Sequence, residues 1–142
     1  MQNKKPVEAK ALLDSNQGWK YLDVRSVEEF QAGHPAGSWN VPVLHRGPMG
    51  MTPNADFVRV VTSAFPKDTK FVVGCASGVR SVHACQQLAA AGFKDLVNME
   101  GGFMGSRDDF GRPIPGWSPS GLPVETTTPP ERTYAGLARP KP

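Results

Sequence analysis

The stretch Lys70-Phe71-Val72-Val73-Gly74-Cys75-Ala76-Ser77-Gly78-Val79-Arg80 reads as a strand, a tight loop and the opening of a helix. Lys70 to Gly74 is short, apolar and β-branched, the composition of a strand covered on both faces. A helix follows from about Val79 to Ala91, and Gly92 ends it. Cys75 falls where the strand gives out. In a parallel α/β sheet, ligands bind at the carboxyl ends of the strands, so this position invites a chemical reading.

Working outward, the same alternation recurs. Upstream, Pro6 to Leu13 forms a short helix with Pro6 in its first turn, and Asn16-Gln17-Gly18 closes it. Tyr21-Leu22-Asp23-Val24 is a buried strand. Ser26 with Glu29 three residues later makes a capping box for a helix through Gln31, which Gly33 stops. Trp39-Asn40-Val41 is another short strand. His45 to Thr52 is rich in Gly and Pro and reads as a loop, and Asn54 caps a helix over Ala55 to Ala64. Downstream, Leu96-Val97-Asn98 is a last strand, and Gly101-Gly102 opens a short helical turn. Strands alternating with helices predict an α/β domain with a mainly parallel sheet. Beyond about Asp108, Pro113, Pro115, Pro119 and Pro123 break any period. The domain is therefore read as residues 1–125, and residues 126–142 as an extended or disordered Pro-rich tail.

Bulk properties narrow the function. A chain of 142 residues suits one domain, and 39% hydrophobic residues support one modest core. The net charge of +3 is scattered, with no basic run of the kind that binds nucleic acid. No apolar stretch is long enough to span a membrane, and MQNKKPVEAK lacks the apolar centre of a signal peptide. Two cysteines ten positions apart do not make a disulfide framework. A reduced, cytoplasmic protein is the expectation, with a plastid form after transit-peptide removal as the other reading.

The loop after Lys70–Gly74 carries the chemistry. Small residues, with Gly78 free to adopt positive φ, can turn their amide N–H groups inward. The next helix adds unpaired N–H groups and the positive end of its dipole. A thiol held at the centre of such a ring is favoured as thiolate, and the ring also accepts an anion or a negatively charged terminal sulfur. Taken alone, Cys75 also fits a buried small hydrophobe; the Cys-x-x-Gly-x-Arg pattern between strand and helix shifts the balance to a nucleophile. Asp23 and Arg25 read as an ion pair supporting the loop ends. Arg80 has two readings: it binds an anionic donor, or it braces the loop against Asp23 or Glu29. Arg46 reads as a solvated loop residue. Cys85 reads as core beside Val82, Leu88 and Ala89 rather than as a resolving thiol, and Phe103 and Phe110 as core or pocket wall. His34, His45 and His83 lack ligand spacing with the cysteines, so no metal and no cofactor is expected.

Cys75 to Ser81 resembles the active loop of the rhodanese family, the thiosulfate-type sulfurtransferases. Other segments are similar in the family's order: Leu22-Asp23-Val24-Arg25, Glu28-Glu29-Phe30, Gly33-His34, Gly37 to Pro42, Leu88, Gly92-Phe93, Glu100 to Phe103 and Gly121 to Val124. The resemblance covers roughly residues 6 to 125, and the segment Gly47 to Met51 with Asn54 and Phe57 looks like single-domain members. It implies a five-stranded, mainly parallel sheet flanked by helices. It further implies a Cys75 persulfide cradled by the backbone of Ala76, Ser77, Gly78, Val79 and Arg80. The donor would be thiosulfate or another persulfide and the acceptor cyanide or a thiol, including a thiol on a protein. The chain departs from the family at Pro35-Ala36, and it carries extra residues between Gly102 and Gly121, where Trp117 stands near the expected tryptophan.

Two rival functions follow. Phosphatases and arsenate reductases of related design also use a cysteine loop with a terminal Arg. In the phosphatase signature five residues intervene, whereas only Ala76 to Val79 intervene here, giving a ring sized for one sulfur atom rather than a phosphoryl group. A non-catalytic or slow-turnover sulfur carrier or regulatory module is the second rival, because fold does not fix function.

Overall fold

The computed structural model describes residues 1–139. In chain order the elements are β1 (Gln2–Lys4), α1 (Pro6–Leu13), β2 (Trp19–Asp23), α2 (Val27–Ala32), β3 (His34–Pro35) and β4 (Trp39–Asn40). Next come β5 (Leu44–Gly47), β6 (Gly50–Pro53), α3 (Phe57–Ala64), β7 (Lys70–Gly74), α4 (Val79–Ala90) and β8 (Leu96–Met99). The chain finishes with β9 (Ser106–Arg107), β10 (Pro113–Ile114), β11 (Val124–Glu125), a 3₁₀ turn (Pro130–Arg132) and α5 (Tyr134–Ala138). Five strands form one sheet in the order β1-β8-β7-β2-β4, and every pairing in it is parallel. This is the α/β fold expected from the sequence, with β7 at its centre.

Strand alternation divides the core into two layers. Leu22, Phe71, Val73 and Leu96 face a cluster completed by Phe57, Val60 and Val61 of α3 and by Ala84, Cys85 and Leu88 of α4. Tyr21, Val72, Val97 and Met99 face the other way, against Ala9 of α1, Phe103 and Trp117. Trp117 meets the Tyr21 ring edge-on at 5.6 Å and donates its indole N–H to the Pro123 carbonyl, which anchors the extra length after Gly102. That extra length folds as the β9–β10 hairpin.

Three segments differ from the sequence expectation. The polar β1 pairs along β8 at the sheet edge, where backbone hydrogen bonds and one side-chain bond from Asn98 to Asn3 hold a strand that carries no apolar pattern. His45 to Thr52, read as a loop, is largely an antiparallel hairpin of β5 with β6, and its Gly and Pro residues serve the turn between a half-buried and an exposed strand. The segment after Glu125, read as extended or disordered, coils at Pro130–Arg132 and forms α5, and Tyr134, Leu137 and Ala138 pack on the α3 side of the core. Residues 140–142, the end of that segment, lie outside the described residues. Arg132 fastens the segment by donating to the Ser38 carbonyl and to Glu125, and the Tyr134 hydroxyl accepts from the Asn54 amide. The His34-Pro35 departure is accommodated as β3, which pairs with β11, while the His34 ring stacks on Phe30 at 3.7 Å.

Candidate active site

β7 delivers Cys75 to the carboxyl edge of the sheet, and the chain then reverses into α4 through Ala76, Ser77 and Gly78. Gly78 makes the reversal with φ +105°, a conformation that side-chain-bearing residues rarely adopt. Its amide, at the N-terminus of α4, donates to Cys75 Sγ at 3.0 Å. Cys75 is 1% exposed, directly after a buried strand rather than on the surface. From the far side, the turn Gly101-Gly102 closes on the loop: Phe103 N–H donates to the Cys75 carbonyl and Met104 N–H to the Ala76 carbonyl. This approach demands glycine at 102, because a Cβ there would stand 2.5 Å from the Cys75 carbonyl oxygen.

A second contact to the sulfur comes from α4. Ser81, fully buried in the first turn, places Oγ 3.4 Å from Cys75 Sγ. The same hydroxyl lies 2.5 Å from Asn98 Oδ1 and 3.2 Å from the Gly78 carbonyl. Asn98 is a polar residue inside β8, and its Nδ2 donates to Asn3 Oδ1 across the β1–β8 pairing. Ser81 and Asn98 were not singled out by sequence reasoning. The available signal is Asn98 itself, an amide in an otherwise apolar strand, which needs a buried hydrogen-bond partner.

The charged residues form two braces. Arg25 clasps Asp23 through both carboxylate oxygens, donates from Nη2 to the Gly33 carbonyl, and lies over the Phe103 ring at 4.3 Å. Both partners are buried, as the sequence reading of an ion pair at the loop ends expects. Asn40 Nδ2 donates to the Asp23 and Arg25 carbonyls, tying β4 to this turn. Arg80 makes a two-pronged pair with Glu29 at 2.7 and 2.9 Å. Of its two readings, the geometry displays the brace, with Glu29 rather than Asp23 as the partner. Glu29 also accepts from the Ser26 amide and hydroxyl in the expected capping box. Burial works to raise the Glu29 carboxyl, but hydrogen bonds from Arg80 and Ser26 outweigh it and bring the group down to about 2.

Arg46 approaches from the β5–β6 hairpin and lines a shallow pocket of about 360 Å³ with Glu29, Met51 and Arg80. Among the described residues it has no carboxylate partner, so this guanidinium is available where the Arg80 guanidinium is occupied. Cys85 lies in the core as expected, and burial pushes its thiol up to about 12. Phe103 is buried beside the loop, but Phe110, read as core or wall, is 81% exposed on the β9–β10 hairpin with Arg112 near its ring. Of the residues Ala76 to Arg80, Gly78 reaches the sulfur with its amide, and the Asp23-paired Arg25 lies over Phe103, whose own N–H is bonded to the Cys75 carbonyl.

The model of the rhodanese-like domain matches residues 5–108. The chain belongs to the rhodanese-like domain family. It is 40% identical over 108 residues to thiosulfate sulfurtransferase 16, chloroplastic, of Arabidopsis thaliana, covering 76% of this chain and 81% of that protein. It is equally identical over 108 residues to the senescence-associated protein DIN1 of Raphanus sativus, covering 76% of this chain but only 53% of that one. Protein HIGH ARSENIC CONTENT 1, mitochondrial, of Arabidopsis thaliana is 37% identical over 95 residues, covering 67% and 55% of the two chains. Among solved structures, that of Rv0390 from M. tuberculosis superimposes with a TM-score of 0.73 at 27% identity, covering 89% of this chain and 98% of that one. The rhodanese-like domain of this protein therefore has relatives named for sulfur transfer, and no helix among its described residues is long and apolar enough to cross a membrane.

Proposed function

We propose that this rhodanese-like domain is a sulfurtransferase that moves sulfane sulfur from thiosulfate or another persulfide donor to a thiol or cyanide acceptor through a Cys75 persulfide. The observation that carries the reading is the Gly78 amide donating to a buried Cys75 sulfur at the N-terminus of α4. Amide and helix dipole both favour negative charge at that point, whether on the attacking thiolate or on the sulfur it receives. In the first half-reaction the Cys75 thiolate attacks the outer sulfur of thiosulfate; a Cys75 S–S bond forms and sulfite leaves with the electron pair of the broken bond. In the second, an acceptor thiolate attacks the outer sulfur of the persulfide and Cys75 departs as thiolate. Arg80 serves as a brace fixed by Glu29, and Arg46 draws the anionic donor to the pocket. Val79, Met51 and Met104 are exposed beside the loop, an apolar rim suited to an acceptor thiol carried on a protein.

The experiment is thiocyanate formation from thiosulfate and cyanide, with Cys75→Ser alongside. The proposal expects turnover in the unaltered protein and none in C75S; activity retained in C75S contradicts it. The deep burial of the sulfur favours one second reading, a sulfur carrier with slow turnover. That reading expects a stable persulfide but thiocyanate formation far below one turnover per second.

A further inference from the structure

Besides the Gly78 carbonyl at 3.2 Å, the one hydroxyl hydrogen of Ser81 has two side-chain neighbours: Cys75 Sγ at 3.4 Å and Asn98 Oδ1 at 2.5 Å. All three groups are buried, so no bulk water is at hand to complete a missing bond. With Cys75 as a thiol, the arrangement runs outward: S–H donates to Ser81 Oγ, Ser81 O–H to Asn98 Oδ1, and Asn98 Nδ2 to Asn3 Oδ1. With Cys75 as a thiolate, the sulfur has no hydrogen to give and can only accept. The chain can then run inward, if both amides turn over: Asn3 donates to Asn98 Oδ1, Asn98 Nδ2 to Ser81 Oγ, and Ser81 O–H to the sulfur. Every link is made in either direction, because a primary amide presents a donor and an acceptor of nearly the same size. Asn3 is exposed on the edge strand, so its amide turns against solvent rather than packed side chains.

We propose that Ser81 is a catalytic residue that donates to the departing Cys75 thiolate, and that Asn98 is a positioning residue whose amide sets the direction of the Ser81 hydrogen bond. The inference rests on the sulfurtransferase reading and deepens it at the off-loading step. There the acceptor thiolate attacks the outer sulfur of the Cys75 persulfide. A bond from acceptor to sulfur forms, the Cys75 S–S bond breaks, and its electron pair stays on Sγ, with no oxidant consumed and no proton released. Negative charge grows on Sγ in that step, and the Ser81 O–H joins the Gly78 N–H in receiving it. During loading the charge moves the other way, from Sγ outward, so the hydroxyl assists that step less.

The test reads the sulfur directly. Among the described residues, Tyr21, Arg80 and Cys85 interact electrostatically with Cys75, and Asp23 with the first two; the variants alter none of these four. The pH profile of Cys75 alkylation by iodoacetamide is recorded for the unaltered protein, Ser81→Ala and Asn98→Asp. S81A is expected to move the midpoint up by about one unit, a tenfold loss of thiolate at a fixed pH well below both midpoints. N98D can only accept, so it holds the Ser81 hydrogen away from the sulfur and also moves the midpoint up. In the S81A background its effect shrinks to that of its charge alone. An unmoved midpoint in S81A overturns the role of Ser81, and additive shifts in the double variant overturn that of Asn98. Should S81A melt early, Ser81→Thr and Ser81→Val are compared, since they match in shape and differ in the hydroxyl. Thr is then expected to restore the midpoint toward that of the unaltered protein, and equal midpoints for the two overturn the proposal. A second arm loads the persulfide and follows its reduction by dithiothreitol in single turnover, where S81A is expected to slow off-loading about tenfold more than loading. Equal slowing of both steps contradicts the inference. A protein that takes up no sulfur while the alkylation shifts stand would refute the sulfurtransferase reading instead.

Discussion

Glu29 closes the capping box at the start of α2 and grips Arg80 across the site, so one carboxylate ties α2 to the active loop. Its depressed titration, to about 2, makes the pair a pH-dependent support. A lowered carboxylate stabilises the fold fully above the unfolded group's titration at about pH 4.3, and that support is lost as the pH falls toward its folded value. With the side chain 29% exposed, the linkage is discounted for solvent screening to about 1–2 kcal/mol. Urea denaturation at pH 6 and pH 3 should therefore show a smaller pH-dependent loss in Glu29→Gln than in the unaltered protein; equal losses would refute the assignment. Asp23 tests the second brace. Asp23→Ala strands a buried guanidinium, and unfolding should cost about 3–5 kcal/mol less. Gly102→Ala places a Cβ against the Cys75 carbonyl and should abolish sulfur transfer through displacement of the loop, visible as a changed rate of Cys75 alkylation.

At the scale of elements, the β5–β6 hairpin carries Arg46 to the pocket, and Arg46→Gln should raise KM for thiosulfate several-fold with little change in kcat. Stopping the chain after Glu125 removes the packing of Tyr134 and Leu137 on the core and the Arg132 bonds to Ser38 and Glu125. Burial of two such side chains in part is worth about 2–3 kcal/mol, which for a chain of this size lowers Tm by roughly 5–10 °C. An unchanged Tm would return residues 126–139 to the status of a tail. The sequence conceals these elements for physical reasons. The hairpin strands, β5 half-buried and β6 exposed, have no fully buried residue to impose alternation, and α5 holds to the core through only a few partly buried side chains. Of the strands that did show themselves, β2, β7 and β8 alternate between two buried layers, and β4 showed itself as the short run Trp39-Asn40-Val41.

For the whole molecule, the parallel sheet brings segments far apart in sequence to the carboxyl end of β7. The place of Cys75 at the carboxyl end of β7 was legible because a thiol followed by small residues and glycine stands between a strand and a helix, each with its own signal. The sequence left the Arg80 partner open between Asp23 and Glu29, since that choice depends on how α2 is set against the loop. Ser81 and Asn98 lay hidden because their pairing crosses from α4 to β8, a contact made only when the sheet order is known. The claim at the centre of the account is that Cys75 accepts sulfur. Its most direct test is the mass of the peptide bearing Cys75 after incubation with thiosulfate and removal of excess reagent, without reductant. An increment of one sulfur atom on that peptide, lost on adding cyanide, is the expected result. An unmodified Cys75 peptide from a folded protein, with or without sulfur on Cys85, would contradict it.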